Sequence, residues 1–162
     1  MKKKKLNIEY TEYYSDEALP EDDALLLKMA SEASKSAYSP YSGFNVGAAV
    51  RLDNGEVISA SNQENAAYPS GLCAERVAIF YAHARYPESA INSLAVTASV
   101  NGLPCEVPTM PCGACRQVMA ESEARASKPI KIIMGGARVT RVMEGVEHIL
   151  PFPFNNLPES DK

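Results

Sequence analysis

The chain has 162 residues, enough for one domain with a sizeable core. Its hydrophobic content of 46% and charged content of 22% are those of an ordinary globular protein, and no apolar run approaches the roughly 20 residues needed to cross a bilayer. A net charge of −4 argues against a nucleic-acid partner, whose binding surface would be basic.

Residues 1–20 read as an N-terminal extension. Lys2 to Lys5 form the one basic cluster, which is read as a solvated terminus rather than a polyanion-binding tail. The polar stretch that follows (Asn7, Glu9, Thr11, Glu12) offers no apolar core of a signal peptide, so a cytoplasmic location is expected. Tyr10, Tyr13 and Tyr14 follow without a sustained period. A single domain is then expected over residues 21–158. Pro20, Glu21, Asp22 and Asp23 form an acidic helix start, and the helix is predicted to run to about Ala37. Leu25, Leu26, Met29, Ala30 and Ala33 are its expected buried stripe.

Phe44 to Leu52 reads as a strand, Asp53-Asn54-Gly55 as a hairpin turn, and Glu56 to Ser61 as the return strand. Asn62 to Gly71 is a polar loop. It leads into a helix that opens at Cys73 and continues through Ala74, Val77, Ala78, Ile79 and Phe80. Ile91 to Val100 is strand-like. Asn101 to Met110 is a Pro-rich loop leading to a second cysteine helix, which continues through Gln117, Val118, Met119 and Ala120. Ile130 to Met134 and Val139 to Met143 are short strands, and Glu147 to Leu150 a last turn before Pro151. Strands alternating with helices predict an α/β fold with one mixed sheet and helices on both faces. The starts of both cysteine helices are expected to meet at one edge of that sheet, where such folds bind ligands.

Three of the four cysteines sit at those two helix starts. A Cys-x-x-Cys in a chain without an export signal points to metal binding or to thiol redox chemistry. Cys112 and Cys115 are three apart and share a helix face. A helix N-terminus favours thiolate over thiol. With Cys73 they make three of four positions around a tetrahedral zinc ion (Zn2+), and an open fourth position marks a catalytic site. The alternatives are a reduced buried trio, or a redox pair with Cys73 as bystander. Cys105 is the spare cysteine, and His83 and His148 fit no ligand position. Glu75, two residues after Cys73, is placed to relay protons if a water is activated there. Its rival role is a helix-start carboxylate favoured by the dipole.

The blocks Tyr41 to Ala49, Asn62 to Pro69, Cys73 to Arg76, Pro111 to Gln117 and Leu150 to Phe154 together resemble the cytidine deaminases, specifically the small homotetrameric zinc type. The resemblance implies a three-layer α/β/α sandwich and hydrolytic deamination of cytidine and 2′-deoxycytidine. It implies Cys73, Cys112 and Cys115 as ligands and Glu75 as general acid and base. Arg76 would donate to the cysteine sulfurs, since three thiolates and Zn2+ sum to −1. Gln117 is a weaker candidate for the same support. Phe44 would face the pyrimidine, Asn62 and Glu64 would hold a sugar hydroxyl, and the backbone at Ala74 would read the base edge. Phe154 would cap a neighbouring subunit's site. The partners implied are a nucleoside and copies of the same chain, with sites near subunit interfaces. A related aminohydrolase acting on another cytosine nucleoside, and a non-catalytic zinc-stabilised oligomer, are the rival readings.

Overall fold

The computed structural model describes residues 1–15 and 17–155; residues 156–158 of the expected domain lie outside them. One sheet forms the middle layer. Its strands are β1 (Thr11–Tyr14), β2 (Phe44–Leu52), β3 (Val57–Ser61), β4 (Ile91–Val100), β5 (Leu103–Pro104), β6 (Lys131–Met134) and β7 (Val139–Glu144). Their order across the sheet is β1-β7-β6-β4-β2-β3, with the short β5 paired to the end of β4. The β4 and β6 strands run parallel, and every other pair is antiparallel. The parallel pair is the one joined through a helix, as a parallel connection requires.

Among the described residues three α-helices flank the sheet: α1 (Glu21–Ser34), α2 (Ala74–Arg85) and α3 (Gly113–Ala126). Helix α1 packs alone on one face, with Leu26 and Ala30 against Ala49, Ala95, Ile133 and Val142. The other face carries the larger core. There Ala78, Ile79 and Ala82 of α2 and Cys115 and Met119 of α3 meet Val50, Leu94, Val96 and Ile132. The result is the expected three-layer α/β/α sandwich.

The α1 layer sits close because β2 has no side chain at Gly47. A Cβ there would stand 1.9 Å from the carbonyl oxygen of Ala30. The Asp53-Asn54-Gly55 turn forms as expected, with Gly55 at φ +87, a conformation that glycine adopts freely.

Two expectations for the N-terminal region are corrected. The extension is partly built into the fold: Thr11–Tyr14 pairs with Val139–Val142 as an edge strand, and Arg141 donates to Glu12 at 2.7 Å across that pair. The α1 stripe is displaced from the expected one. Asp23, Leu26, Ala30 and Ser34 are buried, whereas Leu25 is exposed. Asp23 is tolerated inside because the Lys131 ammonium reaches its carboxylate at 3.3 Å.

Candidate active site

The α2 and α3 helices begin side by side. Cys73 is the residue that caps α2 and Cys112 the residue that caps α3, both with extended backbones. Neither start has a side-chain hydrogen bond to its free amides, so both positive helix ends are left facing the same space. Cys115, on the first turn of α3, is buried beneath them. The Cys73 and Cys112 sulfurs are 3.6 Å apart, and those of Cys112 and Cys115 are 3.4 Å apart. All three lie within 4.8 Å of one another.

This spacing tests whether the residues fit a metal. Sulfurs bound at about 2.3 Å and at tetrahedral angles around one zinc ion stand about 3.8 Å apart. The observed separations need to open by only a few tenths of an ångström. The soft, all-thiol donor set also suits zinc. The protons on the cluster are already unevenly held. Hydrogen bonding from Cys115, aided by Arg76, pulls the Cys73 thiol down to about 5. The same bond and burial push the Cys115 thiol up. Metal binding releases the remaining proton load.

Glu75 is the second residue of α2 and is only 3% exposed. Burial pushes its carboxyl up from the ordinary carboxylate range, and its own backbone amide works against that shift. Arg76 places Nη2 3.7 Å from the Cys73 sulfur and 3.5 Å from the carbonyl of Gly71. Its Nε is buried and has no partner among the described residues.

Cys73, Cys112, Glu75 and Arg76 form the floor of a cavity of about 620 Å3. That is within the usual size range for small-molecule sites. Phe44, Asn62 and Glu64 are on its walls. Phe44 belongs to neither hydrophobic core and is 38% exposed, so its ring is available to a ligand. Tyr41 and Tyr68 meet edge to face at the same cavity, ring centroids 5.8 Å apart.

Asn62 and Glu64 also have structural tasks that the sequence did not reveal. The Asn62 carboxamide accepts from Val46 N–H at 2.8 Å and donates to Phe44 O at 2.9 Å. It imitates one more residue of the β2–β3 ladder, beyond the last pair Gly47–Ser61. One N–H and one lone pair of the amide remain for a ligand. The Glu64 carboxylate accepts from Tyr41 N–H at 2.9 Å, from Ser42 N–H at 3.3 Å and from the Ser42 hydroxyl. These donors hold its pKa below the ordinary carboxylate range, the Ser42 hydroxyl most of all. The carboxylate thus ties down the Tyr41–Ser42 loop beside the cavity.

Gln117 is placed differently from the expectation, and Arg116 was missed. Gln117 does not support the sulfurs. It follows Cys115 by two residues, about 200° around the helix, and points away from them. Its carboxamide instead bonds both backbone groups of Phe154, each at 2.8 Å. Phe154 is 70% exposed and does not line the cavity of its own chain. Arg116, unassigned from the sequence, donates to Pro111 O and to Ile149 O, each at 2.8 Å. Its position directly after Cys115 was the available signal. Cys105 packs partly buried against the main core and is not in the thiol cluster.

Comparisons with known proteins agree with this geometry. A family model described as the cytidine and deoxycytidylate deaminase zinc-binding region matches residues 20–128. The chain is 45% identical over 100 residues to a cytidine deaminase of Halalkalibacterium halodurans, covering 62% of this chain and 71% of that protein. It is 37% identical over 117 residues to a cytidine deaminase of Mycobacterium tuberculosis, covering 70% and 84%. The fold is similar to a crystal structure of cytidine deaminase from Burkholderia pseudomallei, with TM-score 0.68, 34% identity, and coverage of 81% of this chain and 98% of that one. It is also similar to the crystal structure of the Mycobacterium tuberculosis enzyme, with TM-score 0.65, 32% identity, and coverage of 83% and 98%.

Proposed function

The chain belongs to the cytidine and deoxycytidylate deaminase family, and on that premise we propose that it hydrolyses cytidine and 2′-deoxycytidine to uridine and 2′-deoxyuridine, releasing ammonia. The observation that carries this reading is a cluster of three thiols, two of them (Cys73 and Cys112) lining a nucleoside-sized cavity together with the buried carboxylate of Glu75, and the third, Cys115, buried beneath. Cys73, Cys112 and Cys115 would hold the zinc ion. When bound there, zinc makes a water molecule nucleophilic near neutral pH.

Glu75 then carries the protons. Its carboxylate takes one from the attacking water as oxygen bonds to C4 of the base, and gives it to N3. It takes the second and gives it to the exocyclic amine, so that the C4–N bond breaks and ammonia leaves. One carboxylate can serve both transfers because it is buried and lines the cavity in which water and ring would meet. Arg76 donates to Cys73 and offsets the surplus negative charge of three thiolates. Phe44 offers its face to the pyrimidine. Backbone amides at Ala74 meet the base edge, at the uncapped start of α2. Asn62, with its spare N–H, and Glu64 hold a sugar hydroxyl.

The finer parts of the proposal concern assembly and place. Phe154 is exposed and lies away from its own cavity, which supports a homotetramer where it caps a neighbouring subunit's site. Four free cysteines support a reducing, cytoplasmic setting. Among the described residues no helix is long and apolar enough to cross a membrane.

The test is Glu75→Gln. It should keep its zinc and its fold and lose at least about 100-fold in turnover of cytidine. A variant that instead loses zinc, and retains activity in proportion to the remaining metal, would make Glu75 a ligand and overturn its role.

A further inference from the structure

The residue pair that follows Cys115 holds the C-terminal segment at both ends. Arg116 Nη1 donates to Ile149 O, while Arg116 Nε donates to Pro111 O, the residue directly before Cys112. One helical position on, Gln117 grips Phe154. Its Nε2 donates to Phe154 O and its Oε1 accepts from Phe154 N–H, both at 2.8 Å. A carboxamide is the side-chain group that offers a donor and an acceptor side by side, as a peptide does. The grip is therefore on the backbone and leaves the phenyl ring free.

The segment between the two anchors is short and stiff. Leu150 packs against the core, and Pro151 and Pro153 each have φ fixed and no N–H to bond elsewhere. With its start tied at Ile149, the remaining freedom of the segment is the direction in which its end leaves the body. The Gln117 grip removes that freedom. The ring of Phe154 then projects outward, 70% exposed.

We infer that Gln117 is a positioning residue for the substrate site: by locking the Phe154 backbone it sets where the aromatic cap is presented. This rests on the reading of Phe154 as a cap. Gln117 touches neither zinc nor substrate. Its effect runs through Phe154 alone, which separates it from a support for the sulfurs.

The experiment compares Gln117→Ala, Gln117→Glu, Phe154→Ala and the double variant Q117A/F154A as zinc-loaded full-length chains. Three readouts are taken: amide hydrogen exchange at Phe154, the KM and kcat for cytidine, and zinc content. In Gln117→Ala the Phe154 amide should exchange about tenfold faster, the size expected for losing two exposed hydrogen bonds. The KM should rise about fivefold with kcat nearly unchanged, because a cap contributes uniform binding. Zinc content should stay at that of the parent chain. Gln117→Glu keeps the acceptor for Phe154 N–H and loses the donor, so it should fall between. In the Phe154→Ala background the Gln117 substitution should add nothing to KM. Unchanged exchange or unchanged KM in Gln117→Ala, with Phe154→Ala impaired, would overturn the inference and leave the cap reading standing. Loss of zinc in Gln117→Ala would overturn it in favour of a role at the metal. An unchanged KM in Phe154→Ala would refute the cap reading itself, and the positioning role with it.

Discussion

Replacing Asn62 by Ala should harm stability as well as substrate binding, and the size follows from its two backbone bonds. Val46 N–H loses its acceptor at 2.8 Å and Phe44 O loses a donor at 2.9 Å. Asn62 is only 8% exposed, so water does not freely replace either partner. An unsatisfied backbone group costs about 1–3 kcal/mol, and Phe44 is the more exposed of the two partners, so a total of about 2–4 kcal/mol is expected. With a urea dependence of about 2 kcal/mol per molar, the unfolding midpoint should fall by about 1–2 M. Protein and zinc concentrations must be held fixed, because binding and association shift the midpoint by mass action. Asn62→Asp sharpens the test. Its carboxylate still accepts from Val46 N–H but faces the Phe44 carbonyl with a second acceptor, so it should do no better than Ala. A midpoint for Asn62→Ala within about 0.3 M of the parent chain would refute the reasoning and leave Asn62 a substrate residue only.

Gly47→Ala puts a Cβ 1.9 Å from the Ala30 carbonyl oxygen, so α1 must move; thermal unfolding should show a loss of about 1–3 kcal/mol or more. Cys112→Ala should lose both zinc and stability, whereas Cys105→Ser should leave both nearly unchanged; metal analysis of the two purified variants decides, and equal losses would contradict the ligand set. His83, on α2, meets the Ser122 hydroxyl of α3 at 3.0 Å, and burial, with Arg125 adding to it, holds its pKa below the ordinary histidine value. Below about pH 6.5 the unfolded chain therefore binds the proton more readily than the folded one, so this contribution to stability is present above that pH and is lost on acidification through the folded pKa. Denaturation midpoints measured from pH 8 to 5 should fall less steeply for His83→Gln than for the parent, and parallel curves would remove His83 from the account.

Much of this structure is legible in the sequence because local pattern and tertiary outcome agree. The β2–β3 hairpin follows from two strand-like runs joined by the Asp53-Asn54-Gly55 turn, and the two cysteine helices from their starts. The metal cluster is legible for the same reason: a thiol that caps a helix has its position set by the helix. The features that were not legible depend on partners distant in the chain. Thr11–Tyr14 is a strand because β7 offers it an edge, and four residues carry too little pattern to announce that. Asp23 breaks the apolar stripe of α1 because Lys131, far along the chain, meets it. Gln117 seemed to belong with the cysteines by proximity, and helix geometry turns it away to a backbone 37 residues on. Asn62 and Glu64 line the cavity, but their ties to β2 and to the Tyr41–Ser42 loop leave no mark in composition or spacing.

The central claim is that the thiol cluster, loaded with zinc, deaminates cytidine. It is tested most directly by following the ultraviolet absorbance of cytidine with the protein stripped by a chelator and then given back zinc, alongside metal analysis. The account predicts no absorbance change with the stripped protein. It predicts a fall as uridine forms once about one zinc per chain is restored, with ammonia released in equal amount and free cytosine left nearly untouched. Undiminished turnover by fully stripped protein, or no turnover of cytidine by protein carrying its full zinc, would contradict it.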